Sequence, residues 1–202
     1  MSVQVRPYRI PWARITRVFG SRDEGLVGTV LQGQRVATRA YYPDEDEQGE
    51  EPPTYRDALR AIVNGGPFKT GYPEVYVSAV GLICASLGEA LEELQLPEED
   101  ASLLSLAETV LQERGVTGRF SIAALVRRGA PFAIPQPEGL PALGYLTAAE
   151  VETALQCHRS LDLAEVPPAV RAVIDQAGAW LVAASEAREA IVCVYDSLPG
   201  SP

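Results

Sequence analysis

Histidine and cysteine are scarce in this chain: one histidine, His158, and three cysteines, Cys84, Cys157 and Cys193, in 202 residues. The thiols are odd in number, sit in apolar or helical contexts, and none lies at metal-ligand spacing from another. Reduced, buried thiols are therefore expected, and no metal or cofactor is assigned. A structural zinc site needs about four soft ligands, more than one histidine and scattered cysteines supply. No run approaches the ~20 apolar residues of a membrane span, and the N-terminus lacks a basic start followed by an apolar stretch. An intracellular, cytoplasmic protein with no membrane partner is the expectation.

Catalytic signatures are also missing. No Gly-x-Ser-x-Gly turn is present, and Ser185 falls inside a predicted helix. Asn64-Gly65-Gly66-Pro67 reads as a turn, because it lacks the spacing and the Lys-Ser/Thr pair of a phosphate-cradling loop. No Gly-x-Gly-x-x-Gly follows a strand. Cys157 adjoins His158, but neighbouring side chains on a helix point about 100° apart, which argues against a thiol-histidine site. Glu89, Glu92 and Glu93 read as the wet face of a helix rather than as paired acids in a cleft.

What is present is acid, unevenly placed. The chain carries a formal charge of -10 and 47% apolar residues. Residues 1–42 hold Arg6, Arg9, Arg14, Arg17, Arg22, Arg35 and Arg39 against Asp23 and Glu24, a local +5 that leaves -15 for the remainder. This balance disfavours nucleic acid as a partner, and no recognition motif accompanies the arginines. Asp44, Glu45, Asp46, Glu47, Glu50 and Glu51 crowd a stretch broken by Gly49, Pro52 and Pro53, so 43–53 is expected to be a mobile exposed loop. Tyr41-Tyr42 stands beside it.

Periodicity points to a predominantly helical α+β domain spanning residues 1–196, with a flexible tail at 197–202. Short helices are expected at 12–19 and 23–32, and another from Thr54, with Asp57 closing a capping box. From Pro73, apolar residues at one-turn spacing through Leu94 predict a long helix stopped by Pro97. A helix follows to Gly115, then a short one at 121–128. The prolines at 131–141 impose an extended connection too proline-rich for a central strand. Thr147 and Glu150 make a capping box, with Leu146 and Val151 as its staple. The last helix runs over 168–188. Ile191-Val192-Cys193-Val194-Tyr195 is β-prone and needs a partner from residues 2–6 or from the chain before Leu146. Trp12, Phe19, Tyr72, Trp180 and Tyr195 are candidates for core, pocket walls or interface anchors.

The run Gly144-Tyr145-Leu146-Thr147-Ala148-Ala149-Glu150-Val151, followed by a long helix and Ile191–Tyr195, resembles the YfbM-like family of small bacterial proteins of unknown function. The resemblance implies an α+β domain with many helices and a few strands, and it carries no catalytic residue across.

Two functions are thus expected. The first is a bacterial interaction protein, of immunity or antitoxin type, that engages a basic protein partner through Tyr41, Tyr42, Asp44, Glu45, Asp46, Glu47, Glu50 and Glu51. The alternative is a small-molecule-binding protein or an enzyme with an unfamiliar site, in a pocket formed by His158, Trp180 or Tyr195. A structural assembly built on a two-fold apolar interface is a third class.

Overall fold

In the computed structural model, residues 2–33, 51–97 and 100–198 are described. Five strands form one antiparallel sheet: β1 (Ser2–Ile10), β2 (Glu89–Ala90), β3 (Leu94–Pro97), β4 (Ala142–Leu146) and β5 (Ala190–Leu198). Eight helices accompany them among the described residues: α1 (Trp12–Thr16), α2 (Glu24–Gly33), α3 (Tyr55–Asn64), α4 (Pro73–Leu87), α5 (Ser102–Glu113), α6 (Ile122–Arg127), α7 (Ala148–Arg159) and α8 (Pro168–Ala187). The expected helical α+β class with a C-terminal strand is what the chain adopts.

The C-terminal strand lies in the middle of the sheet. It pairs with β1 along its whole length, from Ser2 opposite Leu198 to Ile10 opposite Ala190. Its other edge takes β4, from Ala142 opposite Tyr195 to Leu146 opposite Ile191. Both partners anticipated for this segment are thus used at once, and Ser197 and Leu198, placed in the tail by sequence, belong to the strand. The proline-rich connection leads into an edge strand, where its prolines cost no central ladder bond.

The period-two geometry of β5 divides the core. Ile191, Cys193 and Tyr195 face one layer with α5–α8, while Val192 and Val194 face the other with α1–α4. Helices therefore cover both faces, and this explains why the strand reads as an unbroken apolar run rather than an alternating one. Burying each such side chain contributes about 1.5–3 kcal/mol.

Two capping boxes form as the sequence predicts. Thr54 and Asp57 open α3, and Thr147 and Glu150 open α7, each with the side chain of one residue bonded to the backbone of the other. Leu146 and Val151 are both buried in the same core.

The predicted helix from Pro73 to the Pro97 stop requires correction. It ends at Leu87, and Leu94 lies in a strand. The reason is non-local. The outer edge of β1 carries backbone groups that need partners, and the chain after α4 turns to supply them. Val5 pairs with Leu94, Tyr8 with Ala90, and the Leu91 N–H donates to the Pro7 carbonyl at 2.9 Å. Gly88 permits the approach, since a Cβ there would lie 2.7 Å from the Arg9 carbonyl oxygen. Glu89 and Glu93 are consequently not a wet helix face: Glu89 pairs with Arg9, and Glu93 accepts from the Gln4 amide.

Candidate functional site

Among the described residues, two clefts that hold polar groups able to do chemistry lie on the α5–α8 side of the sheet. The first lies between α5 and α6. Leu104, Ala107 and Leu111 turn α5 inward. Ser121 caps α6 by accepting from the Ala124 N–H at 3.0 Å. Glu108 ties the helices together, its carboxylate accepting from the Ser121 hydroxyl at 3.0 Å and from the Ala123 N–H at 3.0 Å. Helix α6 presses against β4 at Gly144, where a Cβ would stand 2.4 Å from the Ala124 carbonyl oxygen. That seating fixes Arg127 at the end of α6 above the sheet.

The space left between α5, α6 and β5 measures about 200 Å³. Leu104, Ile122 and Val126 supply apolar walls, with Ser105, Thr109 and Gln112 also lining the cleft. Tyr195 comes from the central strand, and the Arg127 guanidinium lies 5.4 Å from its ring centroid, a cation–π arrangement. Tyr195 is 4% exposed, yet neither its hydroxyl nor the guanidinium has a hydrogen-bond or ion-pair partner among the described residues. Two donors, neither bonded to a described residue, thus adjoin a cleft with an apolar wall of Leu104, Ile122 and Val126 and a polar side of Ser105, Glu108, Thr109 and Gln112.

The second cleft, of about 440 Å³, is bordered by His158, the loop after α7 and the start of α8. The imidazole seats against Gly178 and meets the edge of Phe120 at 6.0 Å between centroids. Nε2 of His158 is closed to solvent and lacks a hydrogen-bond partner, with Asp175 Oδ1 at 3.9 Å. Burial pulls the imidazolium below histidine's ordinary value; Asp175 opposes this and Arg159 adds to it. Asp175 also accepts from Arg171 Nε at 3.3 Å, one turn away. A general base must reach its proton, and a solvent-closed nitrogen does not. This cleft is wide but its charges are largely matched.

His158 and Tyr195 therefore line different clefts, and Trp180 lines neither. Trp180 is buried, and its indole N–H donates to the Glu92 carbonyl at 2.7 Å, which pins the β2–β3 connection to α8. Trp12 stacks on Tyr145 at 5.1 Å, Phe19 on Phe132 at 5.5 Å, and Tyr72 is core. All three cysteines are free and buried, with burial pushing the Cys84 thiol up to about 12 and Cys193 upward too. Ser185 donates to Glu152 at 2.6 Å and links α8 to α7. Among the described residues no cluster of metal-ligating side chains occurs, and no helix is long and apolar enough to cross a membrane.

Of the acidic segment, Tyr41, Tyr42, Asp44, Glu45, Asp46, Glu47 and Glu50 lie outside the described residues. Glu51 is exposed, and its backbone carbonyl accepts from Lys69 Nζ at 2.8 Å. Arg127, Glu108, Arg171 and Asp175 are the residues that sequence reasoning passed over. Only the i,i+4 spacing of Arg171 and Asp175 offered a visible signal.

Residues 1–196 match the family model described as Domain of unknown function (DUF7691), and the chain belongs to that family. This overturns the resemblance to the YfbM-like family. The motif behind that resemblance is a helix cap, a solution that any helix start can reach, and Thr54–Asp57 reaches it a second time in this chain. No curated protein and no solved structure matches the chain.

Proposed function

We propose that this DUF7691 protein is a small-molecule-binding protein whose site is the cleft between α5 and α6. One observation carries the reading: Arg127 and Tyr195 meet at a cleft part-walled by Leu104, Ile122 and Val126, and neither side chain is hydrogen-bonded or ion-paired to a described residue. Small-molecule sites combine a mostly apolar lining with a few convergent polar groups that orient the ligand. The His158 cleft is larger but presents a closed nitrogen and paired charges. At about 200 Å³ the α5–α6 cleft lies below the roughly 300–1,000 Å³ of drug-sized sites, which selects a short ligand.

The test is a fragment screen by calorimetry on the wild type and on Ser105→Trp, which places a large side chain at the exposed rim of α5. Fragments are expected to bind the wild type and to be lost from the filled variant at unchanged melting temperature. Binding that survives the filling would place the site elsewhere.

A second reading rests on the sequence. Six acids within residues 44–51, beside Tyr41-Tyr42, favour electrostatic capture of a basic protein, as an immunity or antitoxin-like factor would perform. Neutralising those six acids is expected to abolish capture of partners held by the intact chain. Equal capture by both would remove the acidic segment from the account.

A further inference from the structure

We infer that the ligand of the α5–α6 cleft is a small carboxylate with a short apolar body, its oxygens held by Arg127 and the Tyr195 hydroxyl. The inference rests on the reading of that cleft as the binding site and names the chemistry it selects. Arginine offers five N–H donors and no acceptor, and a tyrosine hydroxyl at neutral pH has a proton to donate. Neither is bonded to an acceptor among the described residues: Arg127 is exposed, and the Tyr195 ring is buried while its hydroxyl is not among the buried atoms that lack a partner. A guanidinium without an ion pair favours an anion as its partner, because a charge-assisted hydrogen bond is stronger than one to a neutral acceptor.

The carboxylate follows from shape and surroundings. A planar guanidinium matches a planar carboxylate through two parallel bonds. Here the ring of Tyr195 lies beneath that guanidinium, which limits the orientations its plane can take. Glu108, the one acid lining the cleft, is held by the Ser121 hydroxyl and the Ala123 N–H and keeps its charge, but it makes no ion pair with Arg127, whose guanidinium is left for a ligand. Leu104, Ile122 and Val126 give the rest of the ligand an apolar surface, which a heavily hydrated inorganic anion would not use. The small volume admits a single ring or a short chain.

Benzoate and hexanoate are the probes, with benzamide, hexanamide and inorganic phosphate as the comparisons, titrated into the full chain and followed by calorimetry. Both carboxylates are expected to bind saturably at one site, and both amides at least tenfold more weakly. Arg127→Gln, at an exposed position, is expected to weaken carboxylate binding by about tenfold or more, because the charge-assisted hydrogen bond is lost. Tyr195→Phe keeps the ring and is expected to lose a smaller factor.

The outcomes separate the two readings. If acids and amides bind equally and Arg127→Gln binds as the wild type does, while Ser105→Trp still abolishes binding, the cleft remains a site and the carboxylate inference falls. Phosphate binding as tightly as benzoate would also overturn it. If no probe and no fragment binds, the proposed function falls with it.

Discussion

His158 occupies the place where a side chain at position 178 would stand: a Cβ on Gly178 would lie 2.3 Å from both Cε1 and Nε2 of its ring. Helix α8 thus admits the chain's only histidine by omitting a methyl group. Gly178→Ala is expected to push the ring outward and destabilise the fold by about 1–3 kcal/mol, the usual cost of overpacking. Gly144→Ala should cost more, because its added Cβ would lie 2.4 Å from the Ala124 carbonyl oxygen, a backbone atom of α6, and not from a movable side chain. Urea denaturation of the two variants checks the order.

The same seating sets a pH dependence. Burial lowers the folded-state proton affinity of His158, so the unfolded chain binds more protons between the lowered value and the ordinary 6.5. Stability from this group is present above pH 6.5 and is lost as pH falls from there through the lower folded value. His158→Asn is expected to remove this component and flatten the profile. Gly178→Ala, by exposing the ring, should move the folded titration back toward the ordinary value. With one histidine in the chain, its ring resonance in an NMR titration reports the shift directly.

Trp180 and Glu92 provide a separate test of how the sheet edge is held. Trp180→Phe removes the 2.7 Å bond from the indole to the Glu92 carbonyl. The expected loss is about 1–3 kcal/mol, for the bond and the smaller ring together. Hydrogen exchange should accelerate at Leu91 and its neighbours before the β1–β5 pairing is affected. Uniform acceleration across the sheet would show that Trp180 supports the core rather than this edge.

Local signals carried most of the fold. The boxes at Thr54–Asp57 and Thr147–Glu150 depend only on residues three apart, and the apolar run at Ile191–Tyr195 announced a strand in need of a partner, while its burial on both faces emerged with the fold. The error after Leu87 arose because Leu87, Leu91 and Leu94 keep helical spacing while the bare edge of β1, some eighty residues earlier in the chain, takes that segment as its partner. The site was less legible for the same reason. Tyr195 could be singled out as an aromatic candidate, but Arg127 acquires meaning only when α6 is seated on Gly144 and brought above the central strand. Likewise His158 was visible as the lone histidine, whereas its closed Nε2 depends on Gly178, twenty positions away.

The most direct test of the α5–α6 cleft as a ligand site is a backbone amide shift map of the protein titrated with benzoate. The account predicts saturable changes confined to residues around Leu104, Ile122, Arg127 and Tyr195, and their disappearance in Arg127→Gln. Shifts centred on the His158 cleft, or none at saturating benzoate, would contradict it.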